Sequence, residues 1–341
     1  DNAEAYNNMG NVLKDQGKLE EAIESYQHAL TLKPDHADAY NNMGTALKNK
    51  GKLEEAIRAY IKAIEIKPDF AEAHNNMGNA FKDKGRLEEA LEAYTKAISL
   101  KPDYVEAYSN LGTTLQDLGK LQEAIEAYNK ALFLKPDCAS TRSQKLSLLA
   151  SICDWDKVTD ELSFLADLGV KGAGVPPFTL LALEDDPYRH RLRSENYAKK
   201  KFSQNSITDF VAPNQKPKRL RIGYFSADFK EHPVSYLLAK VIETHDRDCF
   251  EVYGYSIGRA NDGQMKRRIV KGFDVFREVQ SLGDHDVALL ARQDKIDIAI
   301  DLNGYTTHCR PGIFAYRAAP IQIHFWGSAN SSGADFIDYY I

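Results

Sequence analysis

Apolar and small residues recur with a 34-residue period over positions 1–138 of the chain. The segment Tyr6–Gly10 reads Tyr-Asn-Asn-Met-Gly, and closely similar segments follow at 40–44, 74–78 and 108–112. Each unit also carries a central glycine and ends at a proline, which are Gly17 and Pro34 in the first unit. Two helices joined by a turn leave an apolar face that only the next pair can cover. The pattern therefore predicts an α-solenoid of four helical hairpins over residues 1–138.

Four positions of each unit explain how its two helices pack. Gly10 and Ala22 are small where the helices must approach each other, and Tyr26 and Ala29 fill the remaining gap. Pro34 cannot continue the second helix. These residues and the 34-residue period resemble the tetratricopeptide repeat family.

An asparagine occupies the same position of every first helix, although asparagine is a mediocre helix former. Each amide offers a donor and an acceptor, so a row of amides one repeat apart is predicted to bind the backbone of an extended polypeptide. The alternative is that these residues are solvated or were merely copied with the repeat. Replacing the last three by alanine is expected to weaken polypeptide binding and leave the fold intact. The row consists of Asn8, Asn42, Asn76 and Asn110.

Residues 139–218 are predicted to form a helical bridge and a linker. A break at 169–177 is rich in glycine and proline, and the segment Asp185-Asp186-Pro187 is expected to cap the helix that follows. The basic runs at 189–193 and 199–201 are predicted to be solvated helix faces.

From Leu220 the hydrophobic pattern changes to short apolar runs that alternate with helical segments. This alternation predicts a Rossmann-like α/β domain over 219–341, with a parallel sheet that is covered on both faces. The predicted strands are 220–226, 250–257, 296–302 and 321–326, and the predicted helices are 234–244 and 284–293.

Three polar segments leave the carboxyl ends of these predicted strands. They cover 226–233, 301–308 and 327–333 and contain small, polar and ionisable residues. Ligands of parallel sheets bind at that edge, so the three segments predict a cleft.

Several common motifs are absent from the sequence. No Gly-x-Gly-x-x-Gly follows the first strand and no P-loop is present, which argues against a dinucleotide or P-loop nucleotide site. Asp246-Arg247-Asp248 matches the Asp-x-Asp pattern of metal-dependent sugar transferases, but it precedes its strand and falls at the edge opposite the cleft. His308 and Cys309 lack a second ligand pair at zinc spacing, so no metal site is expected.

Five motifs in order carry a more specific resemblance. They are Cys153-Asp154-Trp155, the segment 219–229 (Arg-Leu-Arg-Ile-Gly-Tyr-Phe-Ser-Ala-Asp-Phe), His232-Pro233, Asn303-Gly304-Tyr305-Thr306 and Ala319-Pro320-Ile321-Gln322. Together with the repeats they resemble the protein O-GlcNAc transferase family, in a bacterial-type form.

The resemblance implies a GT-B glycosyltransferase that uses UDP-N-acetylglucosamine as donor substrate, without a metal or another cofactor. Serine or threonine hydroxyls of proteins would be the acceptors, and the repeat groove would guide the polypeptide. Residues 219–341 would be the N-terminal catalytic lobe. The second lobe, which binds the nucleotide sugar in the full-length enzyme, is expected beyond Ile341, so this chain alone is expected to be inactive.

The sequence departs from that family at one loop. The family continues after the last strand with Tyr-Pro-Gly-Thr, where this chain has Ser328-Ala329-Asn330-Ser331. In the family this stretch belongs to the acceptor pocket, so the details of that pocket do not carry over to this chain.

His232 is the leading candidate for a catalytic residue, because the family carries a histidine here and a base must titrate near neutral pH. A histidine before a proline is also a common loop former. Asp228 is expected to brace the same loop, and His308 is a weaker candidate for the cleft. The floor of the cleft is predicted to contain Asp301, Asn303, Gly304 and Thr306.

Composition and net charge argue against some classes of partner and location. The chain has a net charge of −5, so nucleic acid is not an expected partner. No run of about 18 apolar residues occurs, so no membrane span is expected. Four scattered cysteines suit a reducing, cytoplasmic compartment, and the oligomeric state is left open. Two other functions stay open, namely a scaffold or adaptor without catalysis and a transferase directed at asparagine.

Overall fold

A computed structural model describes residues 2–202, 218–258, 262–306, 308–325 and 332–341. The chain forms two compact units, Asp1–Leu162 and Ser163–Ile341, and each is considered separately. None of the helices in the described ranges has the length and apolar character needed to cross a bilayer.

Four helical hairpins build most of the first unit, as the repeat period predicts. In each hairpin the ring of one tyrosine, fully shielded from solvent, lies against a glycine of the partner helix. A Cβ atom on Gly78, for example, would lie 2.6 Å from Cε1 of Tyr94. The glycine is therefore required for the close approach of the two helices. The helices are α1 (Asn2–Asp15), α2 (Leu19–Leu32), α3 (Ala37–Asn49), α4 (Leu53–Ile66), α5 (Ala71–Asp83), α6 (Leu87–Leu100), α7 (Val105–Asp117) and α8 (Leu121–Leu134).

A fifth hairpin follows in the same register, although the sequence repeat has lapsed. Its helices α9 (Ala139–Ser151) and α10 (Trp155–Leu165) begin one full repeat period after α7 and α8. Cys153 has a φ of 57°, the left-handed conformation that Gly119 adopts at the previous turn. The hairpin geometry therefore continues into the segment predicted as a bridge, and the boundary between the compact units divides that segment after Leu162.

The second unit begins with irregular structure, a short 3₁₀ helix at Pro177–Leu180 and the helix α11 (Pro187–Phe202). Asp186 caps α11 as predicted, because its Oδ1 accepts a hydrogen bond of 3.1 Å from the Arg189 backbone. The exposed residues 199–201 also agree with the prediction of a solvated face.

The prediction of a solvated face is wrong for Arg193, whose side chain is completely buried. Its guanidinium donates to the backbone oxygens of Leu168 and Leu165, at 2.8 and 2.6 Å, and lies 2.5 Å from Glu184. The helix therefore uses this arginine to hold the irregular segment that precedes it.

The elements of the sheet and its helices are β1 (Leu220–Ser226), α12 (Pro233–Glu243), β2 (Phe250–Ser256), α13 (Gln264–Gly272), β3 (Val275–Glu278), α14 (Asp284–Gln293), β4 (Ile298–Asp301), α15 (Gly312–Ala315), β5 (Ile321–His324) and β6 (Tyr339–Tyr340). In the described part of the second unit the six strands are parallel and lie in the order β3-β2-β1-β4-β5-β6. The two longest strands and the two predicted helices agree with the prediction, whereas β4 and β5 are shorter than predicted. The elements that were not predicted are α13, β3, α15 and β6.

The sheet is covered on both faces, as the continuous apolar strands predicted. Successive residues of β1 belong to two separate apolar clusters: Tyr224 packs with Leu238 and Ile242, and Phe225 stacks on Tyr255 at a centroid distance of 4.4 Å. Because side chains alternate along a strand, each cluster fills one face of the sheet.

Candidate functional site

The carboxyl ends of β1, β4 and β5 lie side by side in the sheet. Phe225 pairs with Asp301, and Asp301 pairs with His324. The chain leaves β1 toward β2 on one side and leaves β4 toward β5 on the other, so the strand order reverses between β1 and β4. Such a switch point opens a crevice in which α/β sheets bind their ligands.

Asn303 joins the loop after β1 to the loop after β4. Its Oδ1 accepts a hydrogen bond of 2.8 Å from the Ala227 backbone, and its Nδ2 donates to Oδ2 of Asp228, also at 2.8 Å. The side chain is 1% exposed, so this amide is fixed in place by the sheet edge. The two predicted segments therefore meet, and they meet through one buried amide.

His232 is the N-cap residue of α12, at the end of the loop after β1. Its Nδ1 accepts from the Val234 backbone at 3.4 Å and lies 3.9 Å from Oδ2 of Asp228. The side chain is 38% exposed, so the ring lies half-exposed at the sheet edge. Both contacts use Nδ1, which leaves Nε2 as the ring atom that can reach a substrate.

The two contacts of Nδ1 select different tautomers of the ring. The contact with Val234 needs an unprotonated Nδ1, whereas the contact with the Asp228 carboxylate needs a proton on Nδ1. In the second tautomer Nε2 carries the lone pair and can accept a proton. Asp228 braces the loop as expected, because Asn303 holds its carboxylate and Lys230 lies 3.4 Å from its Oδ1.

The predicted floor residues stabilise the loop after β4 from within. Asp301 accepts hydrogen bonds from the backbones of Asn303 and Gly304, at 2.9 and 3.1 Å. Thr306 donates to the Asn303 carbonyl at 2.9 Å. Gly304 has a φ of 58°, a left-handed conformation that glycine adopts without steric cost. A Cβ at this position would also lie 2.5 Å from the His324 ring, so a side chain has no room there.

His324 at the end of β5 was not predicted as a site residue. It is 3% exposed, its Nδ1 lies 3.5 Å from Oδ2 of Asp301, and neither ring nitrogen has a hydrogen-bond partner in the described part of the chain. The Tyr305 hydroxyl nearby is also buried without a partner there. A histidine inside the apolar run 321–325 is the sequence signal that could have found it.

His308 and Cys309 follow the loop after β4. Burial raises the pKa of the Cys309 thiol to about 12, so this cysteine stays neutral and unreactive near pH 7. His308 is exposed, with a φ of 64°. The predicted third segment lies almost entirely outside the described residues, which resume at Ser332, and so does the departure at 328–331.

The Asp-x-Asp segment lies at the opposite edge of the sheet, before β2. Oδ1 of Asp246 accepts from the Asp248 backbone at 2.9 Å, and Arg247 pairs with Asp274 at 3.0 Å. These contacts stabilise a turn. Within the described ranges, no three carboxylate, histidine or cysteine side chains come together as metal ligands would.

The asparagine row has a packing role that the sequence did not reveal. Asn42, Asn76 and Asn110 each donate a hydrogen bond of 3.0 Å to an asparagine of the preceding repeat. The acceptors form a second, buried row, which consists of Asn7, Asn41 and Asn75. Alanine at the first row is therefore expected to lower the stability of the array as well, because each substitution also removes a bond between repeats. That the fold stays intact remains a prediction.

Beside this row the first two repeats form an open cavity of about 350 Å³. Asn8 and Asn42 face it from the amide rows, and Asp38 and Lys33 add charges of both signs. Asn8 is exposed. Binding of a polypeptide along this surface stays a prediction.

Comparison with known proteins agrees with this architecture. Residues 198–341 match the model of glycosyl transferase family 41. A TPR repeat model matches 10–51, 46–85 and 78–119, and a tetratricopeptide repeat model matches 105–138.

Two curated relatives and one solved structure are similar to the chain. The probable UDP-N-acetylglucosamine–peptide N-acetylglucosaminyltransferase SEC of Arabidopsis thaliana is 32% identical over 212 residues, which are 58% of this chain and 22% of that protein. The UDP-N-acetylglucosamine–peptide N-acetylglucosaminyltransferase of Caenorhabditis elegans is 40% identical over 129 residues, 37% of this chain and 11% of that protein. A mutant of the Thermobaculum terrenum O-GlcNAc transferase superposes with a TM-score of 0.52 at 26% identity, covering 89% of this chain and 53% of that chain.

The chain thus spans about a fifth or less of the length of these curated relatives and about half of the solved transferase. The repeat models match the N-terminal part of the sequence, and the glycosyl transferase model matches the C-terminal part. Residues 198–341 therefore match glycosyl transferase family 41, and they follow residues 10–138, which match tetratricopeptide repeat models.

Proposed function

We propose that the full-length protein transfers N-acetylglucosamine from UDP-N-acetylglucosamine to serine or threonine hydroxyls of polypeptides, and that the repeats guide the acceptor. The observation that carries the proposal is the arrangement of His232, Asp228 and Asn303 at the switch point of a family 41 lobe. The names of both curated relatives state the same donor and a peptide acceptor.

In this proposal, His232 is the general base. Asp228 favours the tautomer with the proton on Nδ1, in which the ring gives up the bond of 3.4 Å from the Val234 backbone. Asn303 keeps the carboxylate in place by its hydrogen bond of 2.8 Å. Nε2 then accepts the proton of the acceptor hydroxyl while the hydroxyl oxygen forms a bond to C1 of the sugar. The bond from C1 to the phosphate oxygen breaks, and UDP leaves with the bonding electrons.

A partly exposed base is suited to this role. The acceptor is a side chain of another polypeptide, so the base must be reachable from solvent, and the ring is 38% exposed. A general base of this kind contributes about 10²–10⁴-fold to the rate of a reaction.

The repeat groove would bind the acceptor through main-chain hydrogen bonds. After Asn42, Asn76 and Asn110 have each donated one proton to the preceding repeat, the second proton and the carbonyl oxygen of each amide remain for a ligand. Recognition of this kind would not depend on the side chains of the acceptor.

The test uses the full-length protein, UDP-N-acetylglucosamine and an unfolded protein acceptor, with the sugar located by fragmentation mass spectrometry. Sugar on serine or threonine supports the proposal, whereas sugar on asparagine alone would assign the enzyme to the asparagine-directed class. Retained binding of the acceptor without any transfer would leave the adaptor function instead.

Two variants then test the role of His232. His232→Ala should lower kcat by about 10²-fold or more. His232→Asn should be equally slow although asparagine retains the ability to cap α12, since an amide accepts backbone hydrogen bonds but cannot take a proton. Activity close to wild type in His232→Asn would show that the ring acts only as a cap.

A further inference from the structure

The loop that carries His232 is attached to a second helix by the residue immediately before it. Oε1 of Glu231 accepts a hydrogen bond of 2.7 Å from the Met265 backbone in the first turn of α13. Oε2 accepts a hydrogen bond of 2.7 Å from the Tyr236 hydroxyl in the first turn of α12. One carboxylate therefore joins the amino ends of two helices.

The start of α13 is built to receive this carboxylate. The N-cap residue of α13 is Gly263, which has no side chain to cap the helix. A Cβ at that position would lie 2.6 Å from Oε1 of Glu231, so the glycine leaves the space that the carboxylate occupies. An acidic group at this end is also favoured by the helix dipole.

The charge state of Glu231 agrees with this contact. The hydrogen bond from the Met265 backbone and then that from Tyr236 hold the pKa of the Glu231 carboxyl below its usual value. The group is therefore a carboxylate at neutral pH, which is the form that accepts from both donors.

We propose that Glu231 is a positioning residue for His232: by binding the amino end of α13 it fixes the direction in which the imidazole leaves the loop. The inference rests on the proposed function, because it assigns Glu231 to the same reaction. Glu231 itself does not touch the substrate. Its effect is on the placement of Nε2, and a displacement of about 1 Å at a reacting group can cost about 10²-fold in rate.

The chain offers a matched control on the same two helices. Glu243 at the end of α12 pairs with Arg268 of α13, with hydrogen bonds of 2.7 and 3.0 Å. Glu243→Ala therefore removes a carboxylate that joins α12 to α13, but at the end away from His232.

The experiment compares four variants of the full-length protein in steady-state transfer. Glu231→Ala should lower kcat by about tenfold or more with little change in KM for either substrate. Gly263→Ala, which displaces the carboxylate without removing it, should act in the same direction. Glu231→Gln should restore most of kcat because its amide oxygen can still accept from Met265, and Glu243→Ala should match wild type.

Hydrogen–deuterium exchange of the same variants gives a readout independent of activity. In Glu231→Ala the amide of Met265 and the amides of 227–234 should exchange faster, and in Glu243→Ala they should not. Wild-type kcat or unchanged exchange in Glu231→Ala would overturn the inference, as would equal losses of kcat in Glu231→Ala and Glu243→Ala. If the wild type transfers no sugar, the proposed function fails, and faster exchange would then show only that Glu231 holds the loop.

Discussion

The asparagine rows allow polypeptide binding to be separated from repeat packing. Asn76 lies on the first, half-buried row and donates to Asn41 of the buried row at 3.0 Å. Alanine at either position removes this bond between repeats, and Asn41→Ala also removes the bond of 3.4 Å from its Nδ2 to Glu72. Only Asn76→Ala removes an amide of the first row, so Asn41→Ala serves as its control for lost packing.

The expected magnitudes follow from these contacts. A net hydrogen bond is worth about 1 kcal/mol, so the triple alanine variant of Asn42, Asn76 and Asn110 should lose about 3 kcal/mol of polypeptide binding. That loss corresponds to an affinity about 100-fold weaker, since about 1.4 kcal/mol is a factor of ten. The triple alanine variant of the buried row, at Asn7, Asn41 and Asn75, should lose at most about 1 kcal/mol of binding, because Asn7 also lines the cavity of the first two repeats.

Both triple variants should be less stable than wild type, because each loses the three bonds between the asparagine rows. The cost should be about 3 kcal/mol or more, since a buried partner left without its hydrogen bond adds a desolvation penalty. The buried-row variant also loses the bond from Asn41 to Glu72, so its stability should fall at least as far. Denaturant unfolding measures the stability, and fluorescence anisotropy with a labelled extended peptide measures the affinity. Equal loss of affinity in both variants would show that the first row acts only through packing, and unchanged affinity in both would exclude it from the binding surface.

Three other predictions concern single positions. His232→Ala should lower the stability by only about 1 kcal/mol, the usual value of a helix N-cap, while transfer falls by about 10²-fold; a parallel collapse of the thermal midpoint would indicate a structural role instead. Gly78→Ala should destabilise the repeat array by about 1–3 kcal/mol through overpacking against Tyr94, whereas Gly85→Asn, at a φ of 78° with open space around it, should cost less than about 1 kcal/mol in denaturant unfolding. Burial lowers the pKa of His74, so the unfolded chain binds more protons on acidification: stability should be complete above about pH 6.5 and fall as the pH drops below it. His74→Tyr, the residue of the other three repeats, should lose less of its thermal midpoint between pH 7.5 and 5.5, and an identical pH profile would contradict the assignment.

The sequence predicts the elements whose pattern is set by local rules. The hairpins follow from small residues and tyrosines that must occur where two helices touch, as Gly78 and Tyr94 do. The strands β1 and β2 follow from continuous apolar runs, because both faces of the sheet are buried. Helix α13 was missed because Met265 and Ile269 are its main buried apolar residues and the helix is otherwise strongly basic.

The fifth hairpin was missed because it is made with other residues. Leu146 stands one repeat period after Gly112, so the contact of a glycine with a tyrosine has been replaced. Cys153 adopts the left-handed turn that glycine normally provides. Periodicity detects residues that recur, whereas a helical hairpin needs only an apolar face of suitable shape.

The sequence predicted that the polar loops after the strands lie at one edge of the sheet, but not which hydrogen bonds join them. The polar loops at strand ends indicated a cleft, and Asp228, Asn303 and Asp301 do lie together. The bonds among them depend on strand order and register, which a single sequence does not contain. His324 was missed for the same reason, since only the pairing of β5 with β4 places it beside Asp301.

The hydrogen bonds between the two asparagine rows all run in one direction along the repeat array. Each amide of a later repeat donates to the carbonyl oxygen of an asparagine in the repeat before it, so the rotamers are set before any ligand arrives. A polypeptide in the groove would therefore meet the same order of donor and acceptor at every repeat, and little side-chain entropy would be lost on binding. A polypeptide main chain is itself directional, so the two asparagine rows would favour one orientation of the bound polypeptide over the reverse orientation.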